Sequence, residues 1–574
     1  MAAHDFAAPV DVLLSGRRWD ALRLDFGFPD HGDAAGDGTT VEPLPEGLRA
    51  AVRLALDEVA ALTLLSFEER RDDPAAATLR YLRSDATETA YAHFPSDHAR
   101  GGDSLYAPWL DEAPVGGYAH MTVLHETGHA LGLKHPHDED RGPGADPAWD
   151  RMALSVMSYR SHEGAPLGGY RNEPSGYAQS YMPLDVAALQ ALYGADFATR
   201  AGDTVYTVDP GTGAVFADSA PLGPAPAANR VFRTIWDGGG EDTYDLSAYA
   251  RGVAIDLAPG AWVDLDRAGD AQAARLGRDG PYAEGQIANA FAPDARALIE
   301  NAIGGAGADR LAGNAADNRL DGGAGDDALH DSAGSDLYLG GPGEDTLWFA
   351  DPLAGRTVGR DGGFLTLAAA DGATDRVAAD VEVLRFADAV LDADTLAPIE
   401  GEAPTGRLRL AARLDDVRMS ERPGGHRLDL PGGALEIAPG RAVALADATL
   451  DWVDDDIAAA IARLYQAAFD RAPDPRGHGF WYAQARDGLG RAAIAEAFAA
   501  SGELGAAGRD AEWLAETVYR NALGRAPDDA GLAFWAGALD AGLPAGDLVL
   551  AFAEAEETRA LQAEAHDDGF LLAL

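Results

Sequence analysis

The sequence predicts a multidomain protein with an α+β domain first, an all-β domain wound as a parallel roll second, and a small all-α domain last. The length of 574 residues indicates several domains, because a single core usually stops growing at roughly 250–300 residues. A nine-residue period over 304–348 predicts the roll. A 54-residue period that relates 464–481 to 518–535 predicts repeated helical units.

The composition excludes several functional classes. Acidic residues outnumber basic residues 94 to 45, and the net charge of −49 argues against recognition of nucleic acid phosphates. The same charge favours carboxylates that bind cations. The chain has no cysteine, so disulfides and thiolate metal sites are excluded. Asp5 and Asp11 interrupt the N-terminal stretch, which lacks the pattern of a secretory signal peptide, and no segment reaches the roughly 18 apolar residues of a membrane helix.

Apolar periodicity indicates a mixed domain of helices and strands over roughly residues 10–200. The predicted elements are helices at 46–65, 121–133 and 184–194, and strands at 77–84, 89–95 and 103–108. Gly194 is expected to end the last of these helices, since glycine is favoured just beyond a helix C-terminus.

The segment HETGHALGLKH combines three histidines at metal-ligand spacing. On a helix, residues four apart share a face, so His125 and His129 can direct two imidazoles to one ion. Gly132 can end that helix with a positive φ, and the turn brings His135 back to the same metal. Three neutral imidazoles leave zinc an open position for water, which is typical of a catalytic site.

A chance match is the alternative, because H-E-x-x-H alone is short. The extended motif argues against it, since it fixes five positions, and SVMSY at 155–159 supplies a second element. Met157 would form a methionine turn, an apolar floor beneath the ligands. Glu126, beside the first ligand, would take a proton from the water as general base. These motifs predict a zinc-dependent endopeptidase of the metzincin class, with an α+β catalytic domain.

On these motifs the chain resembles the serralysins, which are metzincins with RTX calcium-binding repeats, over about residues 10–348. The resemblance also includes TRAGDTVYTV at 199–208, TIWDGGGEDTYDLS at 234–247 and ALIENAIGGAGADRL at 297–311. It implies that Tyr159 is a further zinc ligand that swings away to stabilise the oxyanion; a buried structural tyrosine is the alternative. The segment between His135 and Met157 is shorter than is usual in the family, which affects the rim of the cleft and hence specificity.

The nonapeptide repeats predict structural calcium sites. The units read GGAGADRLA, GNAADNRLD, GGAGDDALH, DSAGSDLYL and GGPGEDTLW. Glycines allow turns that expose carbonyl oxygens, and the sixth place supplies a side-chain oxygen, which suits a cation that takes roughly six to eight oxygens. A flexible linker is the alternative, but an apolar residue at every eighth place requires a core. The second unit, with Asn314 and Ala316, and the fourth, with Asp331 and Ser332, lack expected glycines, so weaker calcium binding is expected there.

The predicted cofactors are therefore one catalytic Zn²⁺ and several structural Ca²⁺ ions, with calcium ligands in two groups. The group implied by the resemblance comprises Arg200, Gly202 and Thr204 through their carbonyls, with Asp237, Gly239, Gly240, Asp242 and Glu300. The group within the repeats comprises Gly305, Gly307, Asp309, Gly322, Ala324, Gly325, Asp327, Asp336 and Asp345.

The 54-residue repeats read as helix, RAPD turn and helix, and resemble a helical domain of unknown function in bacterial secreted and surface proteins. Their paired Trp and Tyr residues predict a core, and contact with a cell-surface glycan or matrix is a second interpretation. The tail HDDGFLLAL at 566–574 is similar to uncleaved type I export signals. With the repeats, this tail predicts a type I secretion apparatus as a partner and an extracellular location.

Together these features predict a secreted zinc endopeptidase for protein and peptide substrates, which would lie extended along an edge strand at 103–108. The alternatives are an RTX surface or adhesion protein with a vestigial peptidase domain, and a metal-dependent hydrolase of another class. The predicted divisions are 1–45 as an N-terminal lead or short propeptide together with the start of the peptidase, 46–215 as the catalytic domain, 216–395 as the roll, 396–450 as a β-rich connector, 455–560 as the helical repeats and 561–574 as a secretion signal.

Overall fold

A computed structural model of the chain describes residues 9–30, 41–139 and 144–573, with short internal gaps. The gaps are at 268, 270, 278–280, 284, 292–293, 388, 394–397, 401–407, 411, 423–424, 431–432, 438–441, 446–447, 454 and 566–569. The chain divides into two compact units, Met1–Phe349 with Asp375–Glu382, and Ala350–Thr374 with Val383–Leu574.

The α-helices of the described residues are α1 (Glu46–Leu62), α2 (Tyr118–Ala130), α3 (Pro183–Tyr193), α4 (Asp456–Phe469), α5 (Pro475–Arg486), α6 (Arg491–Ala499), α7 (Ala511–Leu523), α8 (Asp529–Asp540), α9 (Ala545–Ala553) and α10 (Glu556–Ala565). The strands of the first unit are β1 (Arg23–Gly27), β2 (Ser66–Glu69), β3 (Leu79–Arg83), β4 (Ala90–Ala92), β5 (Asp103–Tyr106), β6 (Val205–Val208), β7 (Val215–Ala217), β8 (Ala220–Pro221), β9 (Arg230–Val231), β10 (Arg233–Ile235), β11 (Thr243–Asp245), β12 (Ala254–Asp256), β13 (Trp262–Asp264), β14 (Gln272–Ala273), β15 (Ile287–Asn289), β16 (Asn301–Ile303), β17 (Arg310–Ala312), β18 (Arg319–Asp321), β19 (Ala328–His330), β20 (Leu337–Leu339) and β21 (Thr346–Trp348). The later strands are β22 (Thr357–Asp361), β23 (Phe364–Ala368), β24 (Thr374–Val377), β25 (Val383–Arg385), β26 (Val390–Asp392), β27 (Pro398–Glu400), β28 (Leu408–Leu410), β29 (Arg418–Arg422), β30 (Gly425–Leu430), β31 (Gly433–Ile437), β32 (Val443–Ala444), β33 (Thr449–Val453) and β34 (Phe570–Ala573).

The first unit begins with a five-stranded sheet in the order β2-β1-β3-β5-β4, packed against helices. The pairs from β2 to β5 are parallel, and β4 is antiparallel to β5. Helix α1 buries Leu48, Val52, Leu56 and Val59, which recur at helical spacing, in a core that α2 and α3 share. Gly194, with a φ of 81°, follows the last residue of α3 as the sequence predicted.

The segment predicted as an edge strand, 103–108, is an interior strand, so that prediction is wrong. Strand β5 lies between β3 and β4, and β4 forms the edge. The chain reverses at Gly101 and Gly102, where Gly102 has a φ of 83°, and the strand that precedes the reversal takes the outer position. Alternation of apolar residues predicts that strands form, whereas their order depends on which backbone edges pair.

The nonapeptide repeats form the parallel roll that the sequence predicts. Strands β16, β18 and β20 pair in one sheet, and strands β17, β19 and β21 pair in another. Each pair is parallel, in a register of 18 residues such as Leu311 with Leu329. All five eighth-place side chains are fully buried between the sheets: Leu311, Leu320, Leu329, Tyr338 and Leu347. The roll therefore has a continuous apolar core.

The second unit combines strands with the seven helices α4 to α10. Asp474 and Asp528, from the two RAPD turns, cap α5 and α8 by accepting hydrogen bonds from Gly477 N and Gly531 N. Tyr465 is buried in the helical core, and Trp481 and Trp535 pack against it. Strand β34 pairs with β33, whereas residues 566–569 and 574 of the predicted export signal lie outside the described residues. None of the helices that the structure describes is long and apolar enough to cross a membrane.

Candidate zinc and calcium sites

Helix α2 carries the first two predicted zinc ligands on one face. The helix starts and ends three residues before the predicted 121–133. His125 and His129 are four residues apart and both are buried. Their ring centroids lie 4.7 Å apart, so the two imidazoles face a common point.

The turn after α2 brings the third histidine to the other two. Gly132 has a φ of 108°, and a Cβ there would overlap Arg17 O, so only glycine fits. His135 Nε2 lies 3.2 Å from His125 Nε2 and 3.1 Å from His129 Nε2. Tetrahedral zinc, with bonds of about 2.0–2.1 Å, would separate its nitrogen ligands by about 3.3 Å. The donor set and its spacing therefore fit zinc.

Each of the three imidazoles is oriented by a hydrogen bond from its other ring nitrogen. The acceptors are Val156 O, 2.8 Å from His125 Nδ1; Leu133 O, 2.7 Å from His129 Nδ1; and Asp138 Oδ2, 2.9 Å from His135 Nδ1. Because a carbonyl or carboxylate oxygen can only accept, the proton is on Nδ1 and each Nε2 presents a lone pair. Burial lowers the pKa of His125 to about 4 and the pKa of His135 to about 3, so both are neutral near pH 7.

Glu126 is a buried carboxylate beside this centre. Its Oε2 has no hydrogen-bond partner among the described residues. Burial raises the pKa of the Glu126 carboxyl to about 8, because no donor compensates the charged form. A cation held by the adjacent imidazoles would favour the carboxylate, so this position suits a group that accepts and returns a proton.

The predicted methionine turn lies under the helix and is fixed by a buried aspartate. Met157 Sδ would be 2.7 Å from a Cβ on Gly128, so the thioether lies directly beneath α2. Asp185, near the start of α3, accepts from Ser155 Oγ at 2.5 Å and from Val156 N at 2.8 Å. Asp185 is not among the residues predicted from the sequence, although an acidic residue in the first turn of a helix is a known capping signal.

Tyr159 lies over the rim of the zinc site. Its ring centroid is 4.4 Å from that of His135 and 5.6 Å from that of His125. The side chain is 37% exposed, unlike a structural core tyrosine. His137, which is not among the residues predicted from the sequence, stacks on His135 with ring centroids 5.1 Å apart and lies 5.0 Å from the ring of Tyr159. These two aromatic rings enclose the outer side of the third ligand.

A cavity of about 290 Å³ adjoins Glu126 and runs to the edge of the five-stranded sheet. Its lining residues are Thr89, Ala90, Tyr118, Met121, Thr122, His125, Glu126, Tyr159, Leu167, Gly169 and Tyr170. Ala90 belongs to the edge strand β4, so the cavity has an extended backbone on one side and the candidate catalytic groups on the other.

The first predicted group of calcium ligands comes together before the roll. Asp242 Oδ1 accepts from Thr204 N at 2.8 Å, and Glu300 Oε2 accepts from Asp242 N at 2.8 Å. Asp242 Oδ2 is buried without a partner among the described residues. Asp237 accepts from Tyr206 Oη and from its neighbour Gly239 N. A Cβ on Gly240 would lie 2.7 Å from Gly202 O, and the side chain of Arg200 donates to Tyr206 Oη at 2.9 Å.

Within the roll, the structure brings together the aspartates of the first, third and fifth units. Asp309, Asp327 and Asp345 are at most 2% exposed. Asp327 Oδ1 accepts from Asp309 N at 2.7 Å, and Asp345 Oδ1 accepts from Asp327 N at 2.8 Å. Gly305, Gly307, Gly322, Ala324 and Gly325 lie in the same stack of turns, whereas Asp336 lies in the other stack. Burial raises the pKa of Asp309 to about 6 and the pKa of Asp345 to about 7.

Family models match three parts of the chain. Residues 195–271 match Peptidase M10 serralysin C terminal, and residues 303–337 and 313–347 match the RTX calcium-binding nonapeptide repeat. Residues 458–508 and 505–562 match a domain of unknown function, DUF4214. These matches confirm that the repeats are of the RTX calcium-binding type and confirm the resemblance predicted for the helical units.

Curated relatives confirm the resemblance to the serralysins. The chain is 34% identical to Metalloprotease AprA of Pseudomonas entomophila (strain L48) over 239 residues, which are 39% of this chain and 44% of that protein. It is 33% identical to Serralysin of Proteus mirabilis over 247 residues, 40% of this chain and 44% of that protein. It is 31% identical to Serralysin G of Dickeya chrysanthemi over 285 residues, 46% and 53% of the two chains. The chain thus spans about half the length of the curated relatives it matches.

Replacing Gly132 tests whether the turn controls the metal site. Gly132→Ala should lower zinc affinity and cost about 1–3 kcal/mol of folding free energy, because the Cβ meets Arg17 O in a backbone region that disfavours side chains. Gly164→Ala is the matched control, since Gly164 also has a positive φ (75°) but no atom lies within 4 Å of its Cβ position. Zinc titration with a competing chelator measures both variants; equal zinc affinity for the two would contradict this role.

The carboxylates of the roll predict an unusual pH dependence of stability in calcium-free buffer. The pKa values of Asp309 and Asp345 are raised from 3.8 to about 6 and about 7, so the unfolded chain releases these protons at lower pH than the folded chain. The unfolding free energy should therefore fall as pH rises from about 4 to about 7. Thermal unfolding of the full chain with zinc present measures this. The double variant Asp309→Asn with Asp345→Asn should show a flatter dependence, and an unchanged slope would refute the assignment.

Proposed function

We propose that this protein is a secreted zinc-dependent endopeptidase whose fold is stabilised by calcium. The observation that carries the proposal is the set of three oriented imidazoles, in which His135 Nε2 lies 3.2 Å from His125 Nε2 and 3.1 Å from His129 Nε2. Beside them, Glu126 has a carboxylate oxygen without a hydrogen-bond partner among the described residues. The serralysin-related segments support the same class of chemistry. A catalytic domain of the metzincin type over 46–215 belongs to this proposal, as do the other predicted domain divisions.

A zinc ion held by His125, His129 and His135 would polarise the scissile carbonyl and lower the pKa of a water molecule towards about 7. Glu126 accepts the proton of the attacking water through Oε2, which has no other partner in the described part of the chain. Glu126 then returns this proton to the departing amine. The hydroxyl of Tyr159, at the rim above His135, donates a hydrogen bond to the oxyanion that develops on the substrate.

The substrate lies extended against β4 rather than against β5. Strand β4 is the edge of its sheet, and an edge strand offers backbone N–H and C=O groups to an added strand. Ala90 of β4 lines the cavity that also contains Glu126 and Tyr159. Backbone pairing is insensitive to side chains, so protein and peptide substrates of varied sequence are expected.

The alternative of a surface or adhesion protein with a vestigial peptidase domain is less consistent with the site. A decayed centre would be expected to lose ligand spacing or the orienting hydrogen bonds, yet all three Nδ1 atoms have acceptors within 2.9 Å. Contact of the helical repeats with a cell-surface glycan or matrix is a separate proposal.

Glu126→Gln should abolish proteolysis while zinc remains bound. General-base catalysis contributes roughly 10²–10⁴-fold, so we expect a loss of at least that size in the rate of casein hydrolysis. Zinc content should remain one ion per chain, because no histidine is changed. Glu112→Gln, an exposed glutamate, is the control and should keep the wild-type rate. A Glu126→Gln protein with a tenth or more of the wild-type rate would remove Glu126 from the mechanism.

We propose that the segment 561–574 directs export of the protein by a type I apparatus. Deleting 561–574 should retain the protein in cells that carry such an apparatus, as measured by immunoblot of medium and cells. The deletion also removes the C-terminal half of α10 and all of β34, which pairs with β33. Leu450→Pro is therefore the matched control, because it disrupts β33 and leaves 561–574 intact, and it should still reach the medium. Export of the truncated protein at the wild-type level would show that the export signal lies outside 561–574.

A further inference from the structure

The turns of the nonapeptide repeats stack in two columns. Turns 304–309, 322–327 and 340–345 precede strands of one sheet and form the odd column. Turns 313–318 and 331–336 precede strands of the other sheet and form the even column. The register of 18 residues places each turn directly on the next turn of its own column.

In the odd column, oxygens from successive turns point at one place. A Cβ on Gly322 would overlap Asp327 Oδ2 and would lie 2.7 Å from Gly340 O, so a carboxylate and the carbonyl of the next turn converge there. A Cβ on Gly340 would likewise overlap Asp345 Oδ2 and the carbonyl of Asp380. Oxygens that meet across two turns are the ligand type that calcium takes.

Two of the converging carboxylate oxygens have no hydrogen-bond donor in the described part of the chain. Asp327 is 2% exposed and Asp345 is 0% exposed, yet Oδ2 of each has no hydrogen-bond partner among the described residues. Asp309 differs, since its Oδ2 accepts from Gly305 N. A buried carboxylate oxygen without a partner is costly unless a cation binds it.

In the even column, side chains fill the corresponding place. A Cβ on Gly313 would overlap Ser332 Oγ and Asn318 Oδ1, so a hydroxyl lies where the odd column has a carbonyl. Asn318 Nδ2 donates to Glu300 O at 2.8 Å and to Asn314 Oδ1 at 3.0 Å. Asn318 Oδ1 accepts from Asn314 N at 2.7 Å. The amide N–H of Asn318 therefore donates to the carbonyl oxygen of Glu300, which lies 18 residues earlier in the chain, and this hydrogen bond satisfies that oxygen without a cation.

The other sixth-place residue of the even column is also fully satisfied. Asp336 Oδ1 accepts from Asn318 N at 2.8 Å. Asp336 Oδ2 accepts from Ser332 Oγ at 2.8 Å and from Tyr338 Oη at 2.9 Å. Tyr338 takes the eighth place, where every other unit has leucine, and only a tyrosine there brings a hydroxyl to the carboxylate.

We propose that the roll binds calcium along the odd column only, and that the even column is a calcium-free seam closed by hydrogen bonds from Asn314, Asn318, Ser332 and Tyr338. The inference rests on the proposed calcium binding of the roll and specifies which residues perform it. The sequence predicts weaker calcium binding at the turns of the second and fourth units. In the proposal these turns bind no calcium, because hydrogen bonds of the seam satisfy the oxygens that a cation would otherwise bind. The seam then holds half of the roll at any calcium concentration.

The competing arrangement is a cation at the end of the even column. Oxygens of Asp331, Asp336 and Asp375 lie within 4.8 Å of one another. Tyr338 Oη has one proton to donate, either to Asp336 Oδ2 at 2.9 Å or to Asp331 Oδ1 at 3.1 Å. Asp336 also accepts from Asn318 N and from Ser332 Oγ, so it has a protein donor at each oxygen whichever acceptor Tyr338 takes.

Calcium stoichiometry of matched variants tests the proposal. Asp327→Asn and Asp336→Asn make the same isosteric change at the sixth place of adjacent units, one in each column. The full chain, loaded with zinc, is dialysed against buffered calcium and its bound calcium is counted by mass spectrometry of the metals. Asp327→Asn should lose at least one calcium ion per chain and should melt at a lower temperature in calcium. Asp336→Asn should keep the wild-type calcium count. Equal loss in both variants, or loss only in Asp336→Asn, would overturn the proposal.

A gain-of-site variant gives an independent answer if either substitution disturbs folding. Asn314→Gly with Asn318→Asp and Ser332→Gly removes three hydrogen-bonding side chains of the seam and supplies an aspartate at the sixth place of the second unit, and this variant should bind about one more calcium ion than the wild type. No gain in a variant with an unchanged circular dichroism spectrum would refute the seam. A wild-type chain that binds no calcium at all would instead refute the calcium-dependent roll, and proteolysis of casein by the same sample reports separately on the peptidase proposal.

Discussion

The turn at Gly132 is the constraint on which the metal site depends. A helix can align only His125 and His129, so the third nitrogen must come from beyond its end. The N-terminal segment holds the reversal: Ser15 N donates to Gly132 O at 3.1 Å, and Lys134 N donates to Leu13 O at 2.7 Å. Because Arg17 O occupies the space that a Cβ on Gly132 would need, the same backbone packing that requires glycine also fixes the position of His135.

Two buried carboxylates show how the same residue type serves structure and chemistry. Asp185 accepts from a hydroxyl and from the amides of Val156 and Met182, and so joins the methionine turn to α3. Glu126 has an oxygen without such a donor in the described part of the chain. Burial raises the pKa of both carboxyls, but of the two only Glu126 lines the cavity beside the candidate zinc ligands. Satisfied hydrogen bonding marks the structural group, and its absence marks the proposed functional group.

The roll repeats this distinction on a larger scale. A net charge of −49 would oppose a compact fold unless cations or donors neutralise the buried carboxylates. Among the described residues, Asp327 and Asp345 each keep one oxygen without a hydrogen-bond partner, whereas Asp336 accepts from Asn318 N, Ser332 Oγ and Tyr338 Oη. The aspartates of the roll therefore differ in whether protein donors satisfy their oxygens, and this difference divides the roll into a part that depends on cations and a part held by hydrogen bonds alone.

The sequence by itself determined the helix that carries His125 and His129, the glycine turn, the repeat period and the buried eighth-place residues, because these follow from local spacing along one element. Tertiary structure decided the rest. The order of β4 and β5, the support of the methionine turn by Asp185 and the contact of His137 with Tyr159 depend on which distant segments meet. The division of the turns into two columns likewise could not be predicted from the nine-residue period alone, because adjacent units lie on opposite sheets and each turn contacts the turn 18 residues away. Whether a carboxylate is satisfied is settled only by donors that the fold brings from elsewhere in the chain.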